Sequence, residues 1–193
     1  MTSTPPLRRY RFTTEAYSRM GEVGILDEDD RVELLDGEIF EMSPFGTRHS
    51  AVLSRLITWF VPAVAGRAIV RPQDPLVLSD FSAPQPDIAV VRWVENFHED
   101  EHPRPDDVLL VVEIADSSLA MDLGRKAWLY SAAGVPEYWV VDLAHERLIV
   151  HTGPGPDGYD AIRSLSGPDV VTAAALPGAG FTVDDMLGRR RPA

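Results

Sequence analysis

One eight-residue run, Val108-Leu109-Leu110-Val111-Val112-Glu113-Ile114-Ala115, is apolar on both faces of an extended chain, with Glu113 its single interruption. A strand of that kind cannot face water on either side, so it reads as the central strand of a covered sheet. That requirement restricts the chain to a layered α/β arrangement. A chain of 193 residues is expected to form one domain, over residues 11–187, with residues 1–10 and 188–193 as flexible tails. Arg8, Arg9 and Arg11 at one end and Arg189, Arg190 and Arg191 at the other then read as solvated charge.

The flanking sequence fits that layering. Thr13-Thr14-Glu15 can cap a short helix ended by Gly21 and Gly24. Val32-Glu33-Leu34-Leu35 and Glu38-Ile39-Phe40-Glu41-Met42 flank Asp36-Gly37, a strong two-residue hairpin signal. Residues 49–64 carry Leu53, Leu56, Ile57, Phe60 and Val64 at helical spacing, and His49 lies one turn before Leu53, facing inward. Extended segments follow over 68–78 and 87–91, then the central strand and a helix over 119–133 that stops at Gly134-Val135-Pro136. Residues 138–143 and 147–151 form a second hairpin, and weaker strands lead to a last helical turn near 183–187. Trp59, Trp128 and Trp139 are expected in the core, and Trp93 either there or as a base-stacking platform.

Composition narrows the chemistry. Seventeen of the 18 basic residues are arginine, and the one lysine is Lys126. Arginine dominance beside abundant Ala, Pro and Gly hints at a GC-rich bacterial genome. A lone lysine suggests a position where a compact ammonium is needed and a guanidinium will not serve. The bland alternative is a surface ion pair with Asp122 at i,i+4, worth about 0.3–0.5 kcal/mol. No cysteine is present, so any metal must sit on oxygen or imidazole. No apolar run approaches the ~18 residues of a membrane span, and residues 1–11 lack the apolar core of a signal peptide, so a cytoplasmic location is expected. The net charge of −12 argues against a broad nucleic-acid coat but leaves room for a local basic groove, with Arg125 and either Arg48 or Arg71 as phosphate contacts. No nucleophile elbow, phosphate-binding glycine loop or His-Glu-x-x-His motif is present.

Three acids stand where acids are costly: Glu33 in a hairpin strand, Asp87 opening an apolar strand, and Glu113 in the central one. Singly, each has a structural explanation. Together, Asp87 and Glu113 on neighbouring strands would repel unless a cation lay between them, and Mg²⁺ prefers one or two carboxylates plus water and phosphate oxygens. Lys126 can join them. Two helical turns at ~1.5 Å per residue bring the chain back roughly 10 Å, about three strand residues at ~3.3 Å each.

Pro86-Asp87, Glu113 and the lysine resemble the PD-(D/E)XK nuclease superfamily. Val32-Glu33-Leu34-Leu35-Asp36-Gly37-Glu38, Met42-Ser43-Pro44 with His49, Pro84-Gln85-Pro86-Asp87, Val112-Glu113-Ile114 and Gly134-Val135-Pro136-Glu137-Tyr138-Trp139 resemble, more closely, the Uma-two-type family of restriction endonucleases. The resemblance implies a restriction-endonuclease-like mixed α/β sheet flanked by helices, with N-terminal and C-terminal β-hairpin additions. It also implies a homodimer and Mg²⁺-dependent DNA cleavage, with Mn²⁺ as substitute ion. Asp87, Glu113 and the Ile114 carbonyl would hold the metal, Lys126 would orient or polarise the attacking water, and Glu33 would complete the acidic cluster. His49 would be either catalytic or a hydrogen-bonded core residue. One departure stands out: the superfamily's usual lysine position, two after the glutamate, is Ala115, and Lys126 on the next helix would replace it. The alternative is a degraded, non-catalytic module acting in binding or dimerisation, which the −12 charge favours.

Overall fold

The computed structural model describes residues 8–27 and 29–189; of the tails expected over 1–10 and 188–193, residues 1–7 and 190–193 lie outside the described residues. Helix α1 (Thr14–Glu22) begins where the Thr13 side chain accepts a hydrogen bond from the Ala16 amide. Strands β1 (Val32–Leu35) and β2 (Glu38–Glu41) pair antiparallel about Asp36-Gly37. Both turn residues have positive φ, 51° and 80°, which matches the twist of a two-residue hairpin. Helix α2 (Thr47–Val64) buries His49, Val52, Leu56, Phe60 and Val64, while Leu53 and Ile57 pack at the margin of that stripe.

The central sheet runs in the order β3-β4-β5-β6-β7-β8. Its strands are β3 (Ala68–Pro72), β4 (Ile88–Arg92), β5 (Val108–Ala115), β6 (Glu137–Asp142), β7 (Arg147–Thr152) and β8 (Ala161–Ser166). Only β5 and β6 are parallel, and β5 lies inside the sheet, as its apolar run demands. A parallel pair needs a crossover over one face. Here it is α3 (Leu119–Met121), a π turn (Asp122–Lys126) and α4 (Ala127–Ala132), where an uninterrupted α-helix was expected. A separate two-stranded sheet, β9 (Val170–Val171) with β10 (Phe181–Thr182), leads into α5 (Val183–Leu187).

Strand alternation divides the core into two layers. Leu110, Val112 and Ile114 of β5, with Ile88 and Val90 of β4, join the layer that contains the buried residues of α2 and α5. Val111 and Ala115, with Ala89 and Val91, join Leu129 and Tyr130 of the crossover. By the same alternation Asp87 and Glu113 fall on the crossover side. The extended segment expected over 68–78 pairs only as far as Pro72, because Gln73 turns the chain at φ 55°. Trp139 is buried and Trp59 packs on the core, but Trp128 is 47% exposed on the outer face of α4. Trp93 is also exposed, its ring edge-on to Phe97.

Candidate active site

The antiparallel register of β4 and β5 ends with Ile88 opposite Val112, so one further step sets Asp87 opposite Glu113. Directly opposed residues share a face, with Cβ atoms about 4.5–5.5 Å apart. Beyond the last ladder pair, the Ile114 main-chain amide donates to the Asp87 side chain at Oδ2, 2.8 Å away. His49, at the start of α2, places Nε2 3.0 Å from the same carboxylate. The buried Asp87 is therefore held from two elements at once.

Lys126 comes from the opposite direction. The π turn swings its side chain under the sheet, where it is 5% exposed, and its Nζ lies 3.0 Å from both Glu113 Oε1 and Glu33 Oε2. Asp122 Oδ1 is 3.9 Å away and also buried, so the surface i,i+4 pair is not what forms. The Tyr130 hydroxyl donates to Glu113 Oε1 at 3.0 Å, and the Gln85 amide donates to Glu33 Oε2 at 3.2 Å. Tyr138 donates its hydroxyl to the Asp122 carbonyl at 3.0 Å, inside the π turn.

The cluster is over-supplied with negative charge. Burial pushes the Glu113 carboxyl well above its ordinary pKa; Lys126 opposes the shift, while Asp122, Asp87 and Glu33 add to it. Burial likewise lifts Asp122 to about 6, against the pull of Lys126 and Ser118. Burial alone would lower the Lys126 pKa, but Glu113, Glu33 and Asp122 together raise it, so the side chain stays an ammonium. Burial and the neighbouring Glu113 also keep Tyr130 protonated.

All five expected side chains, Glu33, His49, Asp87, Glu113 and Lys126, line one cleft of about 540 Å³ together with Ile114. The three arginines expected as phosphate contacts do not line it. Arg125 is paired with Glu38, Arg48 with Glu146 and Arg71 with Asp74. Nor are all the tail arginines free, since Arg9 pairs with Glu38 and Arg189 with Glu146. Sequence reasoning passed over Arg31, Phe45, Gln73 and Ser118, which line the cleft, and Tyr130, which braces it. Their spacing carries no periodic or motif signal. Among the described residues no group of three or more His, Asp or Glu side chains is arranged to cage a metal unaided. An all-oxygen pair such as Asp87 and Glu113, with a nearby main-chain carbonyl, suits Mg²⁺, which keeps several waters and takes phosphate oxygens.

The solved structures contain a good match in fold. The crystal structure of a putative nuclease belonging to DUF820, from Anabaena variabilis ATCC 29413, superposes with a TM-score of 0.75 at 14% identity, covering 92% of this chain and 98% of that one. At that identity the match speaks for the fold. Among curated proteins none matches. A family model described as "Putative restriction endonuclease", Uma2, matches residues 14–184, a span that includes every side chain of the acid–lysine cluster. The match spans most of the chain, and the chain belongs to the Uma2 family, whose model carries the description of a restriction endonuclease.

Proposed function

We propose that the protein is a Mg²⁺-dependent nuclease that hydrolyses DNA phosphodiester bonds in this cleft. The observation that carries the reading is the buried ammonium of Lys126, 3.0 Å from Glu113 and Glu33, in the same cleft as Asp87. An ammonium buried among excess carboxylates is a costly arrangement for stability alone. It is a useful one for phosphoryl chemistry, where charge must be met as it develops.

A divalent ion held by Asp87, Glu113 and the Ile114 carbonyl would supply Lewis acidity and acidify the attacking water. The residues of the chain supply positioning. His49 and the Ile114 amide fix the Asp87 carboxylate. Lys126 and Tyr130 both bond Glu113 at Oε1, leaving Oε2 for another partner. Because Lys126 keeps its proton, its part is to orient water and meet developing negative charge as a donor, never to accept the proton as a base. Water would then attack phosphorus as the ester P–O bond breaks, the proton it gives up passing to solvent and the leaving oxygen taking one from solvent.

A homodimer and a cytoplasmic setting complete the reading, since two copies are needed to cut both strands of a duplex in one encounter. No described helix is long and apolar enough to cross a membrane. The competing reading, a non-catalytic binding or dimerisation module, draws on the −12 charge and on the acid-paired Arg48, Arg71 and Arg125. The two separate in one assay. Purified protein with Mg²⁺ or Mn²⁺ should nick or linearise plasmid DNA, and Asp87→Asn should lower the rate at least about 10²-fold while leaving the melting curve cooperative. Plasmid that stays intact with either ion supports the non-catalytic module.

A further inference from the structure

Arg31 is the only arginine among the described residues that lines the cleft, and no described carboxylate lies within ion-pair distance of it. It directly precedes β1, at the end of the acidic loop that opens at Asp27, and its neighbours Asp29 and Asp30 give no hint of a ligand. In three dimensions its guanidinium carbon sits 3.7 Å from the centroid of the Phe45 ring, and Nη1 donates to the Ser43 carbonyl at 3.1 Å. Phe45 is also stacked on the His49 imidazole, with centroids 4.3 Å apart and planes 15° from parallel. His49 in turn holds Asp87. A guanidinium, a phenyl ring and an imidazole thus form a layered stack that ends on a metal-site carboxylate.

We propose that Arg31 anchors a backbone phosphate of the nucleic acid adjacent to the scissile one, and that the Phe45–His49 stack sets its distance from Asp87. The proposal rests on the nuclease reading for the identity of the ligand. Three physical points support it. A guanidinium has five N–H donors, of which this one uses a single donor on Ser43, so a fork remains for two phosphate oxygens. Stacking on an aromatic face fixes the guanidinium plane while leaving its N–H edge open. Phe45 touches both Arg31 and His49, so the ring links the guanidinium to the residue that holds Asp87. Since Arg31 is separated from Asp87 by two ring layers, it binds substrate without touching the reacting atoms.

The test measures binding and cleavage separately, using a labelled DNA duplex. With a chelator present, Arg31→Ala should weaken binding about tenfold and lower the slope of log affinity against log salt by about 1. Arg31→Gln, which keeps a planar donor over Phe45, should lose the same unit of slope, and Arg31→Lys should restore it. With Mg²⁺, Arg31→Ala should raise KM by a similar factor with kcat within about twofold of wild type. Arg48→Ala, which removes an arginine already paired with Glu146, should leave the salt slope unchanged. An unchanged slope and KM in both Arg31→Ala and Arg31→Gln, in a protein that still cleaves, overturns the anchor and spares the nuclease. A wild-type protein that neither binds nor cleaves the duplex overturns both.

Discussion

An ammonium bracketed by Glu33 and Glu113 is held there by charge, and its shape matters as much as its sign. Replacing Lys126 by Arg keeps the charge but puts a broad, planar fork where a point donor sits. Cleavage by Lys126→Arg is expected to fall about 10²-fold or more with far-UV dichroism unchanged, and cleavage equal to wild type would remove Lys126 from the chemistry. At this scale the sequence was informative wherever an unusual residue stood in an apolar setting. Glu113 in its run, Glu33 in its strand and the solitary Lys126 drew notice for that reason, and all three are buried in contact. Arg31 and Phe45 did not, because an arginine after an acidic loop and a phenylalanine after a proline are ordinary until the fold stacks them.

The β1–β2 hairpin delivers Glu33, and its turn depends on Gly37. The backbone there has φ 80°, and an added Cβ would lie 2.5 Å from Arg11 Cβ and 3.0 Å from Arg11 Cα. Gly37→Ala should therefore cost about 2 kcal/mol or more in urea denaturation, combining left-handed strain with a clash that backbone atoms cannot easily relieve. A loss below about 0.5 kcal/mol would show that the turn and the Arg11 segment yield. Turn chemistry is local, which is why Asp36-Gly37 could be read directly from the chain. The π turn could not. Nothing in the apolar pattern of 119–133 marks the wider turn at Asp122–Lys126, and the hydroxyl that Tyr138 donates to the Asp122 carbonyl comes from a strand later in the chain. The end of β3 was hidden for a similar reason: Gln73 adopts positive φ with its amide on the Asp87 carbonyl, a long-range contact.

Across the whole molecule the balance of 30 acidic to 18 basic residues is felt most where acids are buried. Asp122 has a folded-state pKa of about 6, above its ordinary 3.8. A raised carboxyl pKa favours the folded state in its protonated form, so this contribution is fully present below about 3.8 and is lost as pH rises through about 6. Melting temperatures measured without divalent ions should therefore show Asp122→Asn gaining on wild type between about pH 4 and pH 6, with the gap constant above that window. A gap that does not change with pH would mean that Asp122 is not held in a raised state. The sequence by itself determined the elements whose causes are local: a central strand from an apolar run, a hairpin from Asp-Gly, an inward helix face from its period, and an acid–lysine set that stood out against its surroundings. Tertiary structure alone decided which charges neutralise which. The pairing of Arg48 and Arg125 with acids, the burial of Asp122 and the Arg31–Phe45–His49 stack depend on distances between segments remote along the chain, and periodicity and composition carry no information about such distances.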